Sequence, residues 1–160
     1  MQYTDSKTKY RKWETVKWWF TSLLEQGTFL PSDYDIMGVS YYPFYSTSAS
    51  LSAFKTSLTN MANTWGKEIQ VVETDWPTSC PKPKNQFPSD VREIPYSAAG
   101  QATWTKKVAD IVASVKGGNG LFYWEPAWIH NANLGSSCAD LCMFNQQGQA
   151  LSSLAVFKEI

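Results

Sequence analysis

Apolar residues recur along this chain first at helical and then at strand spacing, and the two alternate to the end. From Trp13 to Gln26 (WETVKWWFTSLLEQ), Trp13, Val16, Phe20, Leu23 and Leu24 fall on one broad face and predict a helix. Gly27 is placed to cap it, and Pro31 closes the region. Trp18 and Trp19 read as packing residues of that helix. Asp35 to Tyr42 (DIMGVSYY) is largely apolar, as in a strand buried on both faces. A second helix is expected from about Ser50 to Trp65, capped by Ser50 or Ser52 and stopped by Gly66. Ile69 to Glu73 (IQVVE) is a short β-branched strand. Ala98 to Lys116 predicts a third helix ending at Gly117-Gly118, and Asn119 to Trp124 a third strand. A short helix from about Ala150 completes the order.

Two long segments interrupt this regularity. Thr74 to Ser97 holds five prolines and no period, and Glu125 to Gln147 is similarly irregular. Loops of that length in a compact domain are commonly functional or disordered. Both follow strands. Strands alternating with helices, without tight hairpins, imply parallel strands joined by crossovers, in a doubly wound sheet or a (β/α) barrel. No glycine-rich phosphate loop follows any strand, which favours the barrel, whose active sites open on the face where these loops emerge.

Composition narrows the chemistry. With 43% hydrophobic residues in 160, the chain can build a core, and its eight Trp, eight Tyr and eight Phe are enough to furnish a cleft as well. Fourteen basic residues balance fourteen acidic ones, with no basic run to attract nucleic acid or an anionic membrane. No apolar run approaches membrane-spanning length. Met1 to Lys12 is polar, unlike a signal peptide, so a secreted form needs targeting information from elsewhere. There is no Asn-X-Ser/Thr sequon. His130 is the single histidine, which excludes most histidine-based triads and metal clusters.

Two carboxylates stand where strands end, each beside tryptophan: Glu73 in VVETDWP and Glu125 in FYWEPAW. Aromatic rings stack on the apolar faces of pyranoses while a carboxylate attacks or stabilises the anomeric carbon. Glu73 is read equally well as a catalytic group or a loop cap with Trp76 packing nearby; Pro126 inclines Glu125 towards a turn. Tyr41 or Tyr42 could donate to a neighbouring carboxylate, or belong to the core. His130, in IHNANLG, reads as a solvated residue or a hydroxyl ligand. Cys80 and Cys138 fall in the two long loops; bridged, they would close a ring of roughly 58 residues, worth about 4 kcal/mol on the chain-entropy model, and imply an oxidising compartment. Cys142 is then left over as a buried thiol.

The segments MGVSYYPFY, VVETDWPTSCP, FPSDV, FYWEPAWI and NANLGSSCAD together resemble glycoside hydrolase family 53, the endo-β-1,4-galactanases of pectic arabinogalactan, and most of all its fungal members. The resemblance runs over 13–160, leaving 1–12 as a polar segment outside it. It implies an α/β fold: the C-terminal part, about strands six to eight, of a (β/α)8 TIM barrel with retaining chemistry. Glu73 would be the nucleophile at the end of strand seven and Trp124 the platform under the sugar at the end of strand eight. Tyr41, Tyr42, Trp76, Glu125, Trp128 and His130 would be further substrate-binding candidates, and Cys80 would pair with Cys138. No cofactor or metal is implied, the partner is β-1,4-galactan, and the parent protein is expected to be secreted.

The departures are as telling. The family's acid/base is a Glu after Asn on strand four, and no Asn-Glu pair occurs here. Retaining hydrolysis needs two carboxylates about 5–5.5 Å apart, and Glu125, on strand eight, is not used so in the family. The expectation is a truncated galactanase, nearly inactive on polymer and prone to self-association. A non-catalytic galactan-binding fragment is the rival, and a dimer of half-barrels a third possibility that still lacks the acid.

Overall fold

The computed structural model describes residues 12–130 and 138–160. Most of the polar segment 1–12 and the Asn-rich stretch 131–137 lie outside the described residues.

Three helices and three strands alternate: α1 (Lys12–Glu25), β1 (Ile36–Ser40), α2 (Leu51–Trp65), β2 (Glu68–Thr74), α3 (Ala98–Ala113) and β3 (Gly118–Tyr123). The strands form one parallel sheet in the order β1-β2-β3, as helical crossovers between consecutive strands require. The order of elements matches the hydrophobic pattern, with boundaries moved by a few residues. The terminal segment is 3-10 rather than α-helical, over Ser152–Lys158.

Local chemistry sets the ends. Ser50 caps α2 by accepting from the Ala53 amide at 3.1 Å, and Gly66 takes the left-handed conformation (φ 64°) that stops it. Ser97 caps α3 by accepting from the Gly100 amide at 3.1 Å. Gly100 has to be glycine because a Cβ there would stand 1.7 Å from the Pro95 carbonyl oxygen.

The core lies between the sheet and α2 and α3. Along α3, Gln101, Trp104, Thr105, Val108 and Val112 are buried at helical spacing. Of these, Trp104, Val108 and Val112 join Ile69 and Val71 of β2 in one continuous cluster. Helix α1 packs on α2 through Trp13 and Phe20 against Trp65, ring centroids 5.6 and 5.3 Å apart. Trp18 does not pack as its sequence suggested: it is 67% exposed, off the Val16–Phe20 stripe that meets α2.

Both outer edges of the sheet, β1 and β3, are unpaired among the described residues. The face turned away from the helices is thinly covered as well, and Phe122 of β3 is 56% exposed.

Candidate active site

One irregularity in β2 decides where Glu73 points. Val71 pairs with Val39, but the next pair is Ser40 with Glu73, so β2 carries one residue more than β1 over this step. Against β3, the pairing likewise runs from Val71–Leu121 to Thr74–Tyr123. Simple alternation would keep Glu73 on the face of Ile69 and Val71, among the helices. The bulge shifts the phase by one. Thr74 now takes the helix side, where its Oγ1 accepts from Trp104 Nε1 at 2.9 Å, and Glu73 turns to the opposite face.

There the Tyr42 hydroxyl donates to Glu73 Oε2 at 2.9 Å. Of the two tyrosines, Tyr42 is therefore the neighbour of Glu73. Tyr41 points the other way, stacked on Phe54 of α2 at 3.9 Å with its hydroxyl donating to the Ala49 carbonyl at 2.8 Å. Its place in the core corrects the expectation that it meets substrate. Burial, then the charges of Asp75 and Glu73, raises the Tyr42 phenol far above its ordinary range, so it remains a donor at all working pH. Tyr45, beside it, is raised by the same causes in the same order.

Asp75, two residues beyond Glu73, is 1% exposed. Burial, and next the Glu73 charge, pushes its carboxyl well above the usual aspartate value.

Trp76 also corrects the sequence reading. It is 0% exposed, set against Trp104 at 5.2 Å and Phe87 at 5.2 Å, with Nε1 donating to the Pro95 carbonyl at 2.9 Å. A ring with no free face has nothing to offer a sugar. Trp124 is half-buried where β3 ends, its amide donating to the Thr74 carbonyl at 2.8 Å, which sets it beside Glu73's strand end. Trp128 is 50% exposed.

Glu125 turns the chain: its φ is 44° and its carbonyl accepts from the Trp128 amide at 3.2 Å. His130 is exposed, with φ 68° and its amide donating to Gln146 Oε1 at 3.0 Å. With Asp140 (φ 55°), three non-glycine residues in this one loop adopt the left-handed conformation, a costly arrangement that surrounding structure must enforce.

The expected disulfide, together with side chains not singled out in the sequence, Gln101 and Tyr123, provides that enforcement. Cys80 and Cys138 form a disulfide, next to an antiparallel bridge between Ser79 and Ala139. The buried Gln101 amide donates to the carbonyls of Trp76, Leu141 and Cys142 at 3.1, 3.3 and 3.0 Å, while its Oε1 accepts from Ser153 at 2.7 Å. The Tyr123 hydroxyl accepts from the Trp76 amide at 3.1 Å and donates towards the Leu141 carbonyl at 2.8 Å. Cys142 is a buried free thiol. Its Sγ lies 3.2 Å from the Trp128 carbonyl, and burial raises its pKa.

Among the described residues no group of three or more His, Cys, Asp or Glu side chains could hold a metal ion. No helix there is long and apolar enough to cross a membrane.

Known proteins resemble this chain in sequence and fold. Residues 8–157 match the model of glycosyl hydrolase family 53. The arabinogalactan endo-beta-1,4-galactanase of Thermothelomyces thermophilus is 67% identical over 148 residues, which is 92% of this chain and 45% of that protein. That of Humicola insolens is 64% identical over the same shares. A solved structure of a fungal beta-1,4-galactanase superposes with a TM-score of 0.90 at 67% identity, covering 92% of this chain and 45% of the other. The chain thus spans under half the length of these relatives, and it belongs to glycosyl hydrolase family 53.

Proposed function

We propose that this chain carries the nucleophile side of a retaining endo-β-1,4-galactanase site, with Glu73 as the nucleophile. The observation that carries the reading is the pairing of Glu73 Oε2 with the Tyr42 hydroxyl. One carboxylate oxygen is fixed, and Oε1, which makes no hydrogen bond among the described residues, is left to form the bond to the anomeric carbon. Trp124 is the aromatic platform beside it, and Trp128 and His130 extend the site along the loop after β3. In this reading β1, β2 and β3 are strands six, seven and eight of a (β/α)8 barrel, and residues outside this chain supply the other five.

Departure of a sugar leaving group needs a proton. No second carboxylate among the described residues is placed by its strand to give it, so the acid/base belongs to the remaining part of the barrel. The substrate class, β-1,4-galactan of pectic arabinogalactan, follows the relatives' names. A secreted parent protein fits the Cys80–Cys138 disulfide, since such bonds persist in oxidising compartments.

An activated aryl β-galactobioside tests this, because its leaving group departs without protonation. A burst of aryl release with label trapped on Glu73, and no action on polymeric galactan, is the expected result. Galactan binding that Trp124→Ala abolishes and Glu73→Gln leaves intact, without any burst, would replace it with a non-catalytic binding role.

A further inference from the structure

Two buried polar atoms close to Glu73 have no hydrogen-bond partner among the described residues: Ser40 Oγ and Asp75 Oδ1. Ser40 is the residue paired with Glu73 across β1 and β2. Buried polar groups in folded proteins are rarely left so. For a hydroxyl the cost is modest. For a carboxylate it is severe, because ionisation without donors forfeits hydration and gains nothing in return.

Among the described residues, the surroundings of Asp75 give the charge no relief. Tyr42 and Tyr45 face it from the segment after β1, Glu73 from β2, Tyr123 from the end of β3, and Cys142 from the loop beyond. All five are neutral or negative. With none of them cationic, the acid form is the one this space accommodates, and the nearest negative charge, on Glu73, favours it further.

That dependence has a chemical consequence, which rests on Glu73 being the nucleophile. When Glu73 Oε1 bonds to the anomeric carbon, the bond to the leaving group breaks and its electron pair departs with that group. The carboxylate becomes a neutral ester. The like charge that helped keep a proton on Asp75 is then gone, and the proton passes to solvent more easily. Water that later attacks the anomeric carbon forms the new C–O bond, loses a proton to solvent and breaks the bond to Oε1, whose electron pair regenerates the Glu73 carboxylate; Asp75 then takes a proton back from solvent.

We propose that Asp75 is a proton-holding neighbour of Glu73: it keeps a proton in the buried space beside the nucleophile and releases it more readily while Glu73 is esterified. Its protonation state is thereby tied to the state of the nucleophile, although it never touches the sugar.

Carboxyl 13C NMR of the whole chain, labelled in Asp and Glu and titrated from about pH 3 to pH 9, reads this directly. The resonance missing from Asp75→Asn assigns the group; should that variant not fold, labelling Asp alone together with Asp75→Ser does so. The expected result is an Asp75 carboxyl still protonated well above about 3.9, the ordinary aspartate midpoint. Its midpoint moves down in Glu73→Gln, and moves down equally after reaction with 2,4-dinitrophenyl 2-deoxy-2-fluoro-β-galactoside. An Asp75 midpoint at the ordinary value, or one that Glu73→Gln does not move, overturns the proposal. If the folded chain shows the Glu73→Gln effect but takes no label on Glu73, the nucleophile reading falls, and the release on esterification falls with it.

Discussion

Tyr42 and Glu73, 31 residues apart in sequence and on neighbouring strand ends, are joined by a hydrogen bond of 2.9 Å from phenol to carboxylate Oε2. Hydrogen bonds to charged groups are worth about 1.5–3 kcal/mol, a factor of roughly 10 to 100 in rate if the contact is fully used in the transition state. Tyr42→Phe should therefore slow labelling of Glu73 by an activated fluoro-galactoside by about that factor. Tyr41→Phe should leave labelling near wild type and cost about 1 kcal/mol of stability, since the Tyr41 hydroxyl is spent on the Ala49 carbonyl. Equal loss of labelling in both variants would show that the tyrosines act only through the fold.

Asp75 should also set how stability depends on pH. Its folded-state pKa lies above the unfolded value, so the folded chain binds the proton more tightly. That contribution is complete below about pH 3.9, the unfolded midpoint, and is lost as pH rises through the folded one. The slope can reach about 1.4 kcal/mol per pH unit, the limit for one proton. Denaturant unfolding of wild type and Asp75→Asn should give curves that separate as pH rises above about 4, the variant gaining on wild type. Parallel curves would mean that Asp75 ionises alike in both states.

Two glycines offer a contrast in tolerance. A Cβ at Gly100 would meet the Pro95 carbonyl oxygen at 1.7 Å, whereas one at Gly120 meets nothing within 4 Å. Gly100→Ala should cost about 3 kcal/mol or more, the upper end for forced overpacking, and loosen the Trp76–Pro95 hydrogen bond with it. Gly120→Ala should be neutral or stabilising by up to about 1 kcal/mol. Thermal unfolding of the two variants decides it.

The unpaired edges and the exposed inner face bear on solution behaviour. Long uncovered strand edges template pairing with other chains. The chain should sediment as a mixture whose mean mass rises with concentration. Phe122→Lys, placing charge where an apolar ring is now 56% exposed, should shift that mixture towards monomer. A single monomeric species at all concentrations would show that the chain manages its edges alone.

Much of the fold can be read from local signals because local forces decide it. Ser50, Gly66 and Ser97 are caps by chemistry that acts within one helical turn, and the β-branched runs are strands. The site is less legible. Trp76 is open in sequence to packing or to substrate binding, and α3 and the loop after β2 decide it by bringing Trp104 and Phe87 onto it. Tyr41 and Tyr42 are adjacent, and only strand alternation sends one to the core and the other to Glu73. Gln101 reads as an ordinary helix residue, and its role depends on carbonyls 25 to 41 residues away. The unpartnered Asp75 carboxyl has no sequence signature at all, since partnerlessness is a property of the packed space.

The extra residue in β2 sets a different kind of constraint on how this sequence can change. Side chains between Val71 and Thr74 can be exchanged without altering which way their neighbours point. Their pairing cannot: were Val72 drawn into plain register with Ser40 and Phe122, the phase would reverse and Glu73 would be carried round into the helix layer, every functional side chain still present. The register of this strand is thus as much a part of the site as the identity of the carboxylate it presents.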